Sequence, residues 1–458
     1  MQKKEYEKIL NTAMSTGADF AEIYYEECKS KVYSFNDSKL DTIKTSNTKG
    51  IGIRVMKNST YYYSSTNNLD INKLCSIAKK LAANISNIPH KNNVKLNELL
   101  TKKSQIKIEH NQFPTLKKKE ILKNIDKLLR EKYKEINQLA LSFNENKKDF
   151  VLANSDGLYI QSDSIHTRFT GIVYTKKEDV KEQQFLAYGK ACGYEFLDDF
   201  NIEEKMLETA KLAVDKLDAI DFKGGELPVI ISPGFGAVIF HEACGHGLEA
   251  TSVAPNLSIF SNLLNKKIGS EKVTLIDDGT IDNMWGSNII DDEGNQTEKT
   301  ILIEKGILKN YLVDKCGGIK MGLPANGCSR RESYDYAPTS RMSNTYLAPG
   351  NDKIEDMLKS IKLGVYCKKL SGGTVNPATG DFNFAVDVAY LIENGKITKL
   401  LRGVTLIGNG KDILNNVEMV SDDLELSDGY CGSKSGFIPV TIGQPTIKIS
   451  KILVGGKE

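Results

Sequence analysis

The residues with the clearest chemical potential are those of His241-Glu-Ala-Cys-Gly-His-Gly-Leu-Glu249. The chain has only five histidines, and two of them flank a glutamate here. Imidazole nitrogens are ready zinc ligands, and a carboxylate beside them can act as the base that activates a water. In the widespread His-Glu-x-x-His pattern the histidines are four apart, which at ~100° per residue puts both on one helix face. Here they are five apart, and an ideal α-helix would turn them about 140° away from each other. The spacing therefore predicts a helix that widens in a π-type turn or ends early, with Gly245 and Gly247 supplying the backbone freedom around His246. On that arrangement His241 and His246 bind Zn2+ and Glu242 is the base.

A catalytic zinc also needs a third protein ligand and an open position. Glu249, three residues after His246, is the nearest candidate in sequence. Cys431, in Asp428-Gly-Tyr-Cys-Gly-Ser-Lys-Ser-Gly436, is the best distant one, because a thiolate binds zinc well and a Gly/Ser loop can approach a site without distorting a regular element. Cys244 reads as a small apolar packing residue. The bland alternative is a buried helix whose histidines are satisfied by hydrogen bonds. Asp277-Asp278 before Gly279 and Asp291-Asp292-Glu293 before Gly294 suit turns at strand ends better than a second metal site. Neither a Gly-x-x-x-x-Gly-Lys-[Ser/Thr] loop nor a strand-linked Gly-x-Gly-x-x-Gly fingerprint occurs, so ATP-driven unfolding by this chain itself is not expected.

The elements that must position these residues divide at a change in backbone usage. Residues 1–220 contain 7 of the 37 glycines and 2 of the 11 prolines. The seam at 221–228 predicts two domains, 1–222 and 223–458. In the first, Tyr6, Ile9, Leu10 and Ala13 repeat at helical spacing, with Gly17 as C-cap. Strand-like runs follow at 20–26, 32–35, 50–56 and 60–65, then helices at 71–85 and 115–136, more strands between 139 and 188, and a helix at 202–217. In the second, the runs 273–277, 300–304, 307–312, 382–393, 399–407 and 446–453 read as strands, and Glu304-Lys-Gly-Ile307 and Glu393-Asn-Gly-Lys396 as hairpin turns. The expected class is α+β, antiparallel sheets with flanking helices, and a strand-rich C-terminal domain carrying the metal helix.

Composition narrows the function classes. The 458 residues are 40% hydrophobic and 26% charged, with a net charge of +2, values of a globular protein without a global field for nucleic acid or anionic membrane. Residues 91–130 hold 11 basic and 4 acidic side chains, but without interleaved aromatics they read as the solvated face of a helix. The charged N-terminus offers no signal peptide, and the 227–240 run is too short to span a bilayer. A cytoplasmic protein with eight reduced cysteines is expected, and no Cys-x-x-Cys pair suggests a zinc ribbon.

Taken together, these motifs resemble the TldD/PmbA family, and within it the TldD-like metalloproteases with their His-Glu-x-x-x-His hallmark. The resemblance rests on Gly17-Ala-Asp-Phe-Ala-Glu22, Gly50-Ile-Gly-Ile-Arg54, the His241 motif, Ile276-Asp-Asp-Gly-Thr-Ile281, Asp291-Asp-Glu-Gly294, Ser329-Arg-Arg-Glu-Ser-Tyr334, Arg341-Met-Ser-Asn-Thr-Tyr346, Gly372-Gly-Thr-Val375, Ala389-Tyr-Leu-Ile-Glu-Asn-Gly-Lys396, Thr405-Leu-Ile-Gly408, and Cys431-Gly leading to Ile442-Gly-Gln-Pro445, all in family order. It departs from the family pattern at Ala250-Thr251 and at Gly432-Ser-Lys-Ser-Gly-Phe437. The resemblance implies a zinc-dependent peptidase acting on peptides or unfolded segments, with His241, His246 and Cys431 as ligands and Glu242 as catalytic residue. It also implies a dimer, either of this chain or with a PmbA/TldE-like relative. For stabilising a developing oxyanion or binding substrate, His166, Arg330, Arg331, Tyr334 and Arg341 are the candidate side chains. Two other readings are compatible with the same residues: a catalytically silent peptide-binding subunit, and a metal hydrolase of a non-peptide amide.

Overall fold

A computed structural model describes residues 1–86, 88–376 and 378–456. The N-terminal part is one seven-stranded sheet, in the order Thr60–Thr66, Lys39–Lys57, Phe20–Asn36, Ile136–Asn154, Tyr159–Lys177, Leu100–Lys102, with Val180–Lys190 also paired to Tyr159–Lys177. All pairings are antiparallel except that of the short Leu100–Lys102. The runs expected at 20–26 and 32–35 are a single 17-residue strand, and its partner Lys39–Lys57 runs 19 residues. The polar stretch between the two runs stays in the ladder because it pairs on both sides, Lys29 against Asn47 and Lys147. Ladder hydrogen bonds thus override the weak strand propensity of the Lys, Ser and Asn residues there.

Helices cover this sheet at both ends through apolar faces at i, i+3, i+4 spacing. Tyr6, Ile9, Leu10 and Ala13 of Lys3–Ala13, with Leu74, Ala78 and Leu81 of Ile71–Ala83, bury against Ile23, Ile51, Ile53 and Val55. The first helix is capped by Met14; Gly17 lies beyond it, in a left-handed turn at φ +81°. Leu122, Ile125 and Leu129 of Thr115–Lys132 and Met206 and Ala210 of Ile202–Asp215 pack on Leu139, Leu141, Phe143 and Phe169. The basic helix is not wholly solvated. Lys118 is buried, paired with Glu145 and lying 4.7 and 4.5 Å from the ring centres of Tyr33 and Tyr194. An ammonium buried this deeply is tolerated because a carboxylate and aromatic faces replace its water.

The C-terminal part has two larger sheets. Five strands of one close on themselves in the order Leu363–Val375, Gly225–Ile231, Ile447–Gly455, Thr405–Asn409, Asp381–Glu393 and back to Leu363–Val375. Val229, Ile231, Val365, Phe384, Leu406, Ile447 and Ile449 bury within a core that also takes Val238, Ile239, Phe240, Ala243, Cys244 and Leu248. The segment that carries His241 and His246 is thereby anchored by its apolar face. The other sheet runs Ile307–Leu308, Lys299–Glu304, Leu275–Asp278, Asn344–Leu347, Gly436–Gln444, Glu425–Ser433, and places the Cys431 strand at its edge. Both expected hairpin turns form, with Lys305, Gly306, Asn394 and Gly395 at positive φ, as a two-residue turn between right-twisted strands requires. The chain is α+β with a strand-rich C-terminal region, and among the described residues no helix is long and apolar enough to cross a membrane.

A buried charge network joins the N-terminal sheet to residues far along the chain. Glu22 accepts from Arg54 at 2.8 Å and from Arg331 at 2.7 Å, and Arg54 also reaches Glu293 at 2.7 Å, with all four side chains nearly inaccessible. Removing one partner from such a network leaves uncompensated charge in a low-dielectric interior. Glu22→Gln is expected to lower unfolding free energy by about 3–5 kcal/mol, measured by urea denaturation of the full chain. An unchanged midpoint would show that these pairs do not contribute to stability.

Candidate metal centre

The segment leaving strand Gly225–Ile231 turns at Pro233, passes through a tight turn at Gly234–Ala237 and a short helical turn at Val238–Phe240, and then widens. His241–Gly245 is a π-helical turn, closed by the His246 N–H donating to the His241 carbonyl. That i→i+5 bond is the widening which the five-residue spacing demands. The following His246–Leu248 turn is tight, and Glu249 is extended at φ −74°, ψ 136°. The two imidazoles meet at nearly right angles, centroids 5.1 Å apart.

Cys431 completes the cluster from the edge strand Glu425–Ser433. Its sulfur lies 3.1 Å from His246 Nε2 and 3.2 Å from His241 Nε2, across 185 and 190 residues of sequence. One donor atom from each of the three residues lies within 4.8 Å of the others, the one such group of His, Cys, Asp or Glu among the described residues. Burial alone pushes the Cys431 thiol up, but the charge and hydrogen bonds of the two imidazoles outweigh it and hold the group at about 4. Burial disfavours a charged His246, yet Glu249 and Cys431 raise it well above the usual imidazole range. Tetrahedral zinc at ordinary bond lengths separates a nitrogen and a sulfur donor by about 3.6 Å, half an ångström beyond the spacing here. His241 Nδ1 is buried without a hydrogen bond among the described residues. The donor set fits zinc in type and number, and its atoms lie within 4.8 Å of one another.

Glu249 is not placed as a third ligand. Its Oε2 accepts from His246 Nδ1 at 3.2 Å, on the side of the ring away from the sulfur. Glu242 lies with Oε2 3.8 Å from His246 Nε2 and remains a quarter exposed. It lines a groove of roughly 520 Å³ with His246, Thr251, Ser252, Asn376, Ser433 and Lys434 among others. Cys244 packs in the core, where burial pushes its thiol up.

None of the five side chains expected at the substrate lines this groove. His166 and Arg330 line a separate cavity of roughly 330 Å³ with Trp285 and Tyr430. Burial holds His166 down to about 3, and Nε2 lies 3.1 Å from the Trp285 carbonyl. Arg330 donates to the carbonyls of Met342 and Pro439, and burial lowers it to about 10. Arg331 also borders that cavity and is engaged by Glu22, while the backbone of Tyr334 accepts from Tyr63 Oη at 2.6 Å. Arg341 is the exception in place, lying directly behind the metal cluster and donating to the Cys431 carbonyl at 2.6 Å. The groove residues Thr374 and Asn376 come from the end of strand Leu363–Val375; Thr374 belongs to the Gly372-Gly-Thr-Val375 block, while Asn376 carries no signal of its own in the sequence. Asp278 and Asp291 serve turns, Asp278 accepting from Thr280 and Asp291 from the Glu293 and Asn295 backbone N–H groups, whereas Asp277 ties its strand to a distant one, accepting from the Ser343 backbone and hydroxyl and from Thr345.

Known proteins share this arrangement of sequence and fold. Models of the PmbA/TldA metallopeptidase match in three segments, domain 1 over residues 21–85, the central domain over 109–217 and the C-terminal domain over 224–456. A protein of Buchnera aphidicola named Metalloprotease TldD homolog is 32% identical over 452 residues, 96% of this chain and 93% of that one. The protein of Saccharolobus solfataricus named Zinc metalloprotease TldD homolog is 28% identical over 455 residues, 98% and 99% of the two chains. The crystal structure of TldE from Thermococcus kodakarensis superposes with a TM-score of 0.75 at 20% identity, covering 99% of both chains.

The π turn is braced from outside by helix Gly410–Asn416, whose first residue presses against it. A Cβ at Gly410 would run into the Ala243 carbonyl oxygen, a backbone atom that cannot swing away. Gly410→Ala is expected to cost about 1–3 kcal/mol of stability and to weaken zinc binding by displacing the turn. Thermal unfolding and a zinc titration check this, and wild-type values in both would contradict it.

Proposed function

The chain belongs to the PmbA/TldD metallopeptidase family, and from that premise and the geometry of the cluster we propose that it is a zinc-dependent peptidase of peptides or unfolded polypeptide segments. The observation that carries the proposal is the convergence of His241, His246 and Cys431 on one point, with Glu242 beside them at the wall of an open groove. In this reading the three hold Zn2+, and Glu242 is the general base.

When bound, zinc supplies Lewis acidity, polarising a carbonyl and making a coordinated water acidic. The Cys431 thiolate and the Nε2 atoms of His241 and His246 are the donors. Glu249 fixes the ring of His246 so that Nε2, not Nδ1, faces the site. Glu242, on the groove side, takes a proton from the attacking water at its carboxylate and delivers it to the leaving amine. Thr251, Ser252, Asn376 and Ser433 offer hydrogen bonds along the groove, which suits an extended chain held mainly through its backbone. The earlier candidates His166, Arg330, Arg331 and Tyr334 enter this scheme only at a distance from the groove.

The same proposal includes a two-domain chain divided at residues 222 and 223 and a dimer, with a second copy or a TldE-like relative as partner. A cytoplasmic setting is part of it as well, supported by eight unpaired cysteines.

Glu242→Gln separates the base from the ligands. The variant is expected to retain wild-type zinc and thermal stability while losing at least ~10²-fold in hydrolysis of an unstructured peptide. Hydrolysis at the wild-type rate would remove Glu242 from the role of base.

A further inference from the structure

Two of the three donors are connected by two side chains that are not donors themselves, Glu249, which borders the groove, and Arg341, which lies behind the cluster. Glu249 presents Oε2 to His246 Nδ1 at 3.2 Å. Its other oxygen, Oε1, faces Arg341 Nε at 3.9 Å. The guanidinium of Arg341 then donates through Nη2 to the Cys431 carbonyl at 2.6 Å and through Nη1 to Ser435 Oγ at 2.9 Å and the Gly436 carbonyl at 3.0 Å. The result is a continuous line from one ligand ring, through a carboxylate and a guanidinium, to the backbone of the other ligand and the turn that follows it. The line is dry: the Arg341 and Glu249 side chains are 0% and 2% exposed.

Within that line one contact is incomplete. Arg341 Nε and Glu249 Oε1 are both buried and make no hydrogen bond among the described residues, yet they face each other at 3.9 Å. An orphaned donor and an orphaned acceptor of opposite charge, buried face to face, are costly unless the arrangement serves something else. A planar fork that has already committed both Nη atoms to the Cys431 hairpin cannot turn further towards Glu249 without drawing that hairpin along.

We propose that Glu249 and Arg341 form a buried positioning pair, which sets the ring of His246 and the strand of Cys431 in the one mutual orientation that lets both bind a single metal ion. The inference rests on the metal-site reading above and extends it. The two ligands come from a π-helical turn and from an edge strand that share no ladder. The pair supplies the mechanical link which the backbone lacks. Glu249 acts on the tautomer and tilt of the imidazole, and Arg341 on the distance at which the sulfur is presented. Both act through the ligands they hold, so their effect falls on metal affinity and ligand geometry before it falls on turnover.

The test uses the full chain and zinc alone. Zinc affinity is measured by competition with a chromogenic chelator for wild type, Glu249→Gln, Arg341→Met and the double variant, with thermal unfolding of the metal-free proteins as the control for folding. Each single variant is expected to bind zinc about 10–100-fold more weakly, and the double variant to be little weaker than the worse single one, because both act through one line. With Co2+ in place of zinc, the thiolate charge-transfer and ligand-field bands are expected to shift in the singles. Arg341→Lys, which keeps the charge and loses the fork, is expected not to restore them. Should Arg341→Met fail to fold, Arg341→Lys with Glu249→Gln forms the second cycle. Wild-type affinity and spectra in both single variants, or losses that simply add in the double variant, would overturn the positioning pair. Absence of zinc binding by the wild type would instead overturn the metal-site reading itself, and the pair with it.

Discussion

Two imidazoles five residues apart can face one ion only if the helix between them takes an extra residue into its turn, and most of the site's surroundings follow from that need. A π turn has poorer packing down its axis and weaker hydrogen-bond geometry than an α-helix, so it persists where its neighbours hold it. Here Val238, Ile239, Phe240, Ala243, Cys244 and Leu248 sink into the core of the C-terminal part. Gly410 abuts the Ala243 carbonyl from one side, and the thioether of Met342 comes so close to Gly245 that a methyl group there would collide with it. The glycines at 245 and 247 thus have two uses: they free the backbone, and they make room for Met342 and Phe260.

A thiolate as third donor is the second consequence. With the histidines presenting Nε2 to one point, a ligand must arrive from outside the helix, and an edge strand can bring one without losing a pairing on both sides. On the outer side of that strand the carbonyls of Gly429 and Cys431 accept from Trp285 Nε1 and Arg341 Nη2. Side chains therefore occupy hydrogen-bonding positions that an edge usually leaves exposed to other chains. Burial alone would push such a thiol up; the two imidazoles beside it hold it down.

Much of this is legible in the residues themselves. The His-x-x-x-x-His spacing with its glycines carries the π turn, because helical geometry admits few ways to bring such a pair together. The hairpins at 304–307 and 393–396 are readable because each carries a Gly, joined by Asn in the second, that takes positive φ at little cost. The long strands Phe20–Asn36 and Lys39–Lys57 are less so, since their polar middles are held by partners on both sides and not by their own propensity. The parallel pairing of Asn344–Leu347 with Gly436–Gln444 has no local signature at all. Between Glu249 and Cys431 as third ligand, spacing alone leaves both open; only the fold shows that the carboxylate meets Nδ1 and the sulfur meets Nε2. In the sequence Arg341 is one of three arginine candidates with Arg330 and Arg331, and its place behind the ligands depends on a contact across 90 residues.

The central claim is that His241, His246 and Cys431 together hold a zinc ion that hydrolyses peptides. The most direct test is zinc content per chain, with hydrolysis of an unstructured peptide measured on the same samples, for wild type and Cys431→Ala. The account predicts about one zinc in the wild type and loss of both metal and hydrolysis in the variant. Full zinc and full hydrolysis without Cys431 would contradict it.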